Sequence, residues 1–245
     1  VVSARDGKLT INISSDVTYL VGVGASLAEK AVPPTEDLNL ERWTRRAGTA
    51  SIPRIKTIPQ INGVLEEWTN VKPIELTDWA TKNHRSVYLA WDQEFVYVAV
   101  QAASKRAGSE DSFEFRLSTR PSRQLMNYAS WSIYDYVFQI TPGVGSSKPK
   151  ARLSNCLWDN PQTIAATNDS SGVRWASKVS EAGWTVEAAI PRKLLKGFPD
   201  KAGQKLSSFM QLVESDNSGG GEIKFSNADI KSDDTLRWPY LVLEP

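Results

Sequence analysis

Read for the spacing of its apolar positions, the chain is a succession of short strands. Val87-Tyr88-Leu89-Ala90-Trp91 is an apolar run dense in β-branched and aromatic residues. Asp92-Gln93-Glu94 makes a polar turn, and Phe95-Val96-Tyr97-Val98-Ala99-Val100 resumes the run. Runs too short for a typical helix, apolar on both faces and bounded by turn residues, predict central strands covered on both sides. Residues 111–117 predict a third strand, in which Glu114 alternates with Phe113 and Phe115 and so falls on the face opposite the rings. More strands are expected over residues 131–141, 150–158, 172–179, 207–214 and 237–243. In residues 183–191, Trp184, Val186, Ala188 and Ile190 share one face, and Thr185, Glu187 and Ala189 the other. Pro191 then opens a helix of one to two turns through residues 192–196, which Gly197 stops. Many short strands, regular turn signals and almost no amphipathic helix predict an all-β fold, an antiparallel, jelly-roll-like β-sandwich.

The pattern changes along the chain. Residues 8–23 alternate as two short strands joined at Ser14-Ser15-Asp16, with Leu9, Ile11 and Ile13 on one face. Two strands do not make a domain, so residues 1–23 are expected to be the closing strands of a preceding β-domain. Residues 24–52 read as a linker. It contains one short helix capped at Thr35, with Glu36 and Asp37 in its first turn, Arg45 and Arg46 in its last, and Gly48 after it. The sandwich is expected over residues 53–245, opening on a turn at Asn62-Gly63, where both residues tolerate positive φ.

Composition narrows the chemistry. With 29 basic against 28 acidic residues and no basic block, neither nucleic acid nor an anionic membrane surface is expected as a partner. No apolar run approaches the roughly 20 residues of a bilayer span. The single cysteine, Cys156, excludes an internal disulfide framework and a thiolate metal cluster. The single histidine, His84, reads as a polar strand-edge residue, and its count excludes paired-histidine zinc and haem sites.

Four segments, in order, carry a family resemblance. They are Pro59-Gln60-Ile61-Asn62-Gly63 followed by Glu66-Glu67-Trp68, the hairpin of residues 87–100, Asp111-Ser112-Phe113-Glu114-Phe115, and Gly183-Trp184-Thr185-Val186-Glu187-Ala188-Ala189-Ile190-Pro191. Together they resemble the family 9 carbohydrate-binding modules and the wider dopamine-monooxygenase-like sandwich superfamily, over about residues 53–245. The resemblance implies a non-catalytic module that binds a poly- or oligosaccharide. It also implies attachment in one native chain to an upstream hydrolase that is secreted and acts on plant-type polysaccharide of the β-glucan, xylan or mannan class. Beginning at Val1, the chain accordingly reads as an excised or processed C-terminal piece.

The resemblance also implies part of a ligand site. The motif glutamate matches Glu114, an amide in the penultimate strand matches Gln211, and Gln139 stands where the family has an arginine. The family clamps a sugar between two tryptophans, one of them just before the Asp-Ser-x-Glu motif. Here that stretch is Lys105-Arg106-Ala107-Gly108-Ser109-Glu110, without a tryptophan. A sugar presents a flat apolar face edged by hydroxyls, which suits an exposed ring beside amide and carboxylate groups. The platform candidates are Trp131 and Trp158, then Trp79 in its polar segment, with Trp238 the weakest, whereas Trp91 and Trp184 are expected in the core.

The residues alone assign no cofactor, and a structural calcium is the one candidate. The family often holds calcium, and the acidic pairs Glu66-Glu67, Asp92 with Glu94, Glu110-Asp111 and Asp233-Asp234 are the candidate ligands, though none has the spacing of a ligand loop. Catalysis would need Glu114 and Glu187 to face each other across a cleft as acid and base. The alternative to sugar binding is a structural accessory or spacer domain that has lost the clamp.

Overall fold

The computed structural model describes residues 2–5, 8–11, 49–103, 111–120, 133–143, 148–157, 160–166, 172–215, 221–229 and 238–245. The chain divides into two units, Val1–Arg45 and Arg46–Pro245. In the first, β1 (Val2–Arg5) and β2 (Lys8–Ile11) form an antiparallel hairpin with Ala4 opposite Leu9. β2 falls within the expected alternation, but it pairs with a strand before it that the alternation did not predict. The second expected strand, at residues 17–23, and the helix of the linker lie outside the described residues.

The second unit contains β3 (Thr49–Ile52), β4 (Ile74–Thr77), β5 (His84–Trp91), β6 (Phe95–Ala102), β7 (Ser112–Ser118), β8 (Asp135–Thr141), β9 (Lys150–Leu157), β10 (Asn160–Ala166), β11 (Arg174–Ser180), β12 (Gly183–Pro191), β13 (Lys205–Ser215), β14 (Glu222–Ser226) and β15 (Tyr240–Leu243). They hydrogen-bond in the order β10-β9-β8-β7-β13-β14-β4-β5-β6-β12-β11. This path folds over into two layers about one core, a nearly closed antiparallel sandwich. β13 is long enough to share one edge between two partners, with Gln211–Ser215 pairing to β14 and Lys205–Ser207 to β15. Asn227 fills the junction, its Oδ1 accepting the Met210 N–H at 2.9 Å. β15 pairs in parallel with β3. The sandwich therefore includes residues 49–52, which lie in the stretch read as linker. Only Ile52 of β3 is a large apolar residue, and the strand is defined by its partner rather than by its own pattern.

Strand alternation builds the core. Phe113, Phe115, Phe138, Ile140, Leu153, Met210 and Leu212 from one layer meet Val87, Leu89, Val98, Val100, Val186, Ala188 and Ile190 from the other. Trp91 and Trp184 are buried among them, as their strand positions predict. The hairpin read as covered on both faces is so covered. Ala90, Tyr97, Ala99 and Ala189, on the outer face of the second layer, pack under Trp68, Ile55, Ile61, Leu65 and Val71. The helix expected after Pro191 is only a 3-10 turn over Arg192–Leu194, because Leu195 leaves helical geometry and sinks into the core.

Candidate functional site

The register of β14, β13, β7, β8 and β9 lines up one row of polar residues on the outer face of the first layer. Ser226 stands opposite Gln211, Gln211 opposite Glu114, Glu114 opposite Gln139, and Gln139 opposite Arg152. Directly opposed residues share a face with Cβ atoms about 5 Å apart. With strands spaced about 4.8 Å apart, the row from Ser226 to Arg152 is roughly 19 Å long. Phe225, Met210, Phe115, Phe138 and Leu153, next to these residues in their strands, point the other way into the core and fix which face each polar side chain takes. Three candidates separated in sequence, Glu114, Gln139 and Gln211, are thus neighbours.

At the middle of the row, Arg116 leans on Glu114 from the next outward position of the same strand. Its Nε and Nη2 donate to Glu114 Oε2 at 3.0 and 2.6 Å, and the Gln139 amide donates to Glu114 Oε1 at 3.3 Å. Both charged side chains are about four-fifths buried. The Gln211 amide has no hydrogen-bond partner among the described residues.

Trp79 closes one end of the row. Its Nε1 donates to Ser226 Oγ at 2.9 Å, and its ring remains 39 % exposed. The turn between β4 and β5 holds it there. Asp78 accepts from the Ala80 N–H at 3.0 Å and from the Thr81 hydroxyl, its own N–H donates to Asn83 O at 2.9 Å, and Lys82 takes φ +63°. The Thr81 hydroxyl holds the Asp78 carboxyl below its ordinary value of 3.8; burial opposes this, and the Ala80 and Thr81 N–H groups and Lys82 assist. The Lys82 ammonium lies 5.1 Å from the centre of the Trp79 ring.

Trp131 and Trp158 lie outside the described residues. Trp238 is fully buried and stacks on Phe209, their ring centres 6.5 Å apart, so it offers no platform. His84 is an exposed residue at the start of β5, as expected, and lies 3.2 Å from the Thr77 hydroxyl. Sequence reasoning missed Arg116 and Ser226. Alternation from Glu114 places Arg116 on its face, whereas Ser226 carries no local signal and is reached only through the register.

Glu187 has a different role from Glu114. It is fully buried on the outer face of the second layer, under the Pro59–Trp68 segment. Its Oε2 accepts the N–H groups of Asn62, Gly63 and Val64 at 3.0, 2.7 and 3.2 Å, and its Oε1 accepts Trp68 Nε1 at 2.7 Å. Glycine suits position 63: its φ is +80°, where other residues are strained, and a Cβ there would lie 3.1 Å from Lys178 Cβ. Glu187 and Glu114 therefore stand on opposite outer faces, and the acid–base pair considered from sequence does not form.

Three of the described carboxylates among the calcium candidates are engaged locally. Glu67 accepts the Gln60 N–H at 2.6 Å, Asp92 accepts two N–H groups and the Tyr97 hydroxyl, and Asp111 accepts the Trp184 indole and Ser215. Burial and the Asp92 hydrogen bond push the Tyr97 hydroxyl far above its ordinary pKa. Among the described residues, no three His, Cys, Asp or Glu side chains converge as a metal site, and no helix is long and apolar enough to cross a membrane.

No protein-family model matches the sequence, and no curated protein is significantly similar to it. Among solved structures, the chain is similar to a family 9 carbohydrate-binding module of Caldicellulosiruptor kristjanssonii in complex with cellotriose. The TM-score is 0.57 at 18 % identity, covering 80 % of this chain and 93 % of that one. A family 9 module of the same organism in complex with glucose gives 0.56 at 19 % identity, covering 79 % and 95 %. A Bacteroides uniformis ATCC 8492 protein provisionally described as carbohydrate-binding gives 0.51 at 12 % identity, covering 80 % and 99 %. At these identities the likeness is one of fold, and the fold is that of a family 9 module.

Proposed function

We propose that this chain is a non-catalytic carbohydrate-binding module that targets an appended, secreted hydrolase to plant-type polysaccharide of the β-glucan, xylan or mannan class. The observation that carries the reading is the row Ser226–Gln211–Glu114–Gln139, with a half-open tryptophan bonded to its end. Trp79 supplies a ring for the apolar face of a sugar, and the Gln211 amide, Glu114 and Gln139 supply the acceptors and donors that hydroxyls need. Similarity to modules solved with cellotriose and glucose supports the ligand class. Affinity electrophoresis through soluble cellulose, xylan, mannan and glucan, followed by calorimetry with matching oligosaccharides, tests it. Retardation by at least one polymer that Trp79→Ala abolishes is the expected result. A flat response across the panel overturns the reading.

The spacer reading rests on one observation, the absence of tryptophan from residues 104–110, where the family places half of its clamp. The same panel decides between the two, because a spacer retards in none of the gels.

A further inference from the structure

Among the described residues, the charges on the polar face are unevenly matched. Glu114 is committed to Arg116, and Lys224 is paired with Glu222 at 3.3 Å. At the end of the row away from Trp79, two exposed cations project from β9 on the same face. Arg152 stands opposite Gln139, and Lys150 opposite Thr141. Neither has a carboxylate partner among the described residues. Two residues apart on one strand, they stand about 7 Å from each other, close enough for their like charges to repel. A neutral oligosaccharide needs only the amides and Glu114 and relieves none of this repulsion. A guanidinium beside an ammonium matches an anionic oxygen group, which the guanidinium takes in bidentate fashion.

We infer that Arg152 and Lys150 form an anion subsite beside the Glu114–Gln139 contact, and that the preferred ligand is an acidic saccharide bearing a carboxylate or sulfate on the sugar next to the one held by Gln139. This rests on the sugar-binding reading above and narrows its ligand class. The two anions share one chemistry, and the Arg152 fork distinguishes them only by fit.

The test uses the whole chain and three probes on one backbone: a xylo-oligosaccharide with one glucuronate branch, the same compound with its carboxyl reduced to the alcohol, and a singly sulfated analogue. Calorimetry at low salt is expected to show the glucuronate compound binding about tenfold more tightly than its reduced form. The preference should shrink as salt rises from 20 to 500 mM, roughly, because the site is exposed. Arg152→Gln and Lys150→Gln are each expected to reduce the acid-to-neutral preference about threefold, and the double variant to bring it near one. A sulfated compound that outbinds the glucuronate assigns sulfate as the anion, and the reverse assigns uronate. If all three bind equally, with no salt dependence, the anion subsite falls and the sugar-binding reading stands. If none binds and the neutral polysaccharide panel is also flat, both fall.

Discussion

Glu114 and Glu187 look alike in the sequence. Each sits in an alternating strand, on the face opposite a run of core residues, in a segment that resembles the same family. In the folded chain, Glu187 lies under the Pro59–Trp68 segment with four donors on its two oxygens. Glu114 lies in a row in which it, Gln211 and Gln139 keep partial exposure, Arg152 is exposed and Ser226 is buried. Alternation assigns a residue to a face, but what covers that face is decided by a segment more than a hundred residues away. One outer face has become an internal joint, and the other has stayed a polar surface.

The largest effect expected from this difference is on stability. Glu187→Ala strands three backbone N–H groups and an indole N–H. It should cost about 3–5 kcal/mol in urea or thermal unfolding, whereas Glu114→Gln should cost less than about 1 kcal/mol, its partner being partly solvated. Comparable losses from the two would break the contrast. Next comes binding. Trp79→Ala is expected to weaken an oligosaccharide that the wild type binds by about tenfold or more in calorimetry, with little change in unfolding. Gln211→Ala should lose about fivefold, the scale of one hydrogen bond to a hydroxyl, and a Kd unchanged by either substitution would move the site elsewhere.

The smallest expected effect is with pH. The Asp78 carboxyl titrates below its ordinary 3.8 in the folded chain, so its contribution to the turn is present above that value and is lost as pH falls through the lower, folded pKa. Trp79 fluorescence should therefore hold from neutrality down to about pH 4 and change only below it, while Asp78→Asn should remove that acid step. A change centred near neutral pH would contradict the assignment of the turn to Asp78.

Much of the fold was legible because the recognisable motifs are its joints. Glu187 of the Gly-Trp segment binds the Asn62-Gly63 turn, and Thr185 donates to Gly63 O at 2.5 Å. Trp184 Nε1 reaches Asp111 at 2.9 Å, which ties that segment to the Asp-Ser motif. Gly183, at φ +134°, approaches Ala102 so closely that a Cβ would lie 2.0 Å from its carbonyl oxygen. These demands act on particular residue types and so mark the sequence. β4 and β14, of four and five residues, leave too short a pattern to read, and β3 is mostly small and polar.

The site was less legible for a related reason. Glu114, Gln139, Gln211 and Ser226 meet through the registers of four strands, and no local spacing encodes a register. Trp79 could be weighed only as one tryptophan among nine. Its distinguishing feature is the Asp78–Thr81 turn that points it at Ser226, and that turn shows its use only once β14 is placed beside β4.

The most direct test of the central claim, that sugar binds on the outer polar face of the first layer, is a titration followed by nitrogen–proton NMR. An oligosaccharide retained in the gel panel would be added while the Trp79 indole, the side-chain amides of Gln211 and Gln139, the Trp68 indole and the Gly63 amide are observed. The account predicts that the first three signals shift together and saturate with one Kd while the last two stay in place. Shifts at Trp68 and Gly63, with Trp79 and Gln211 unmoved, would contradict it.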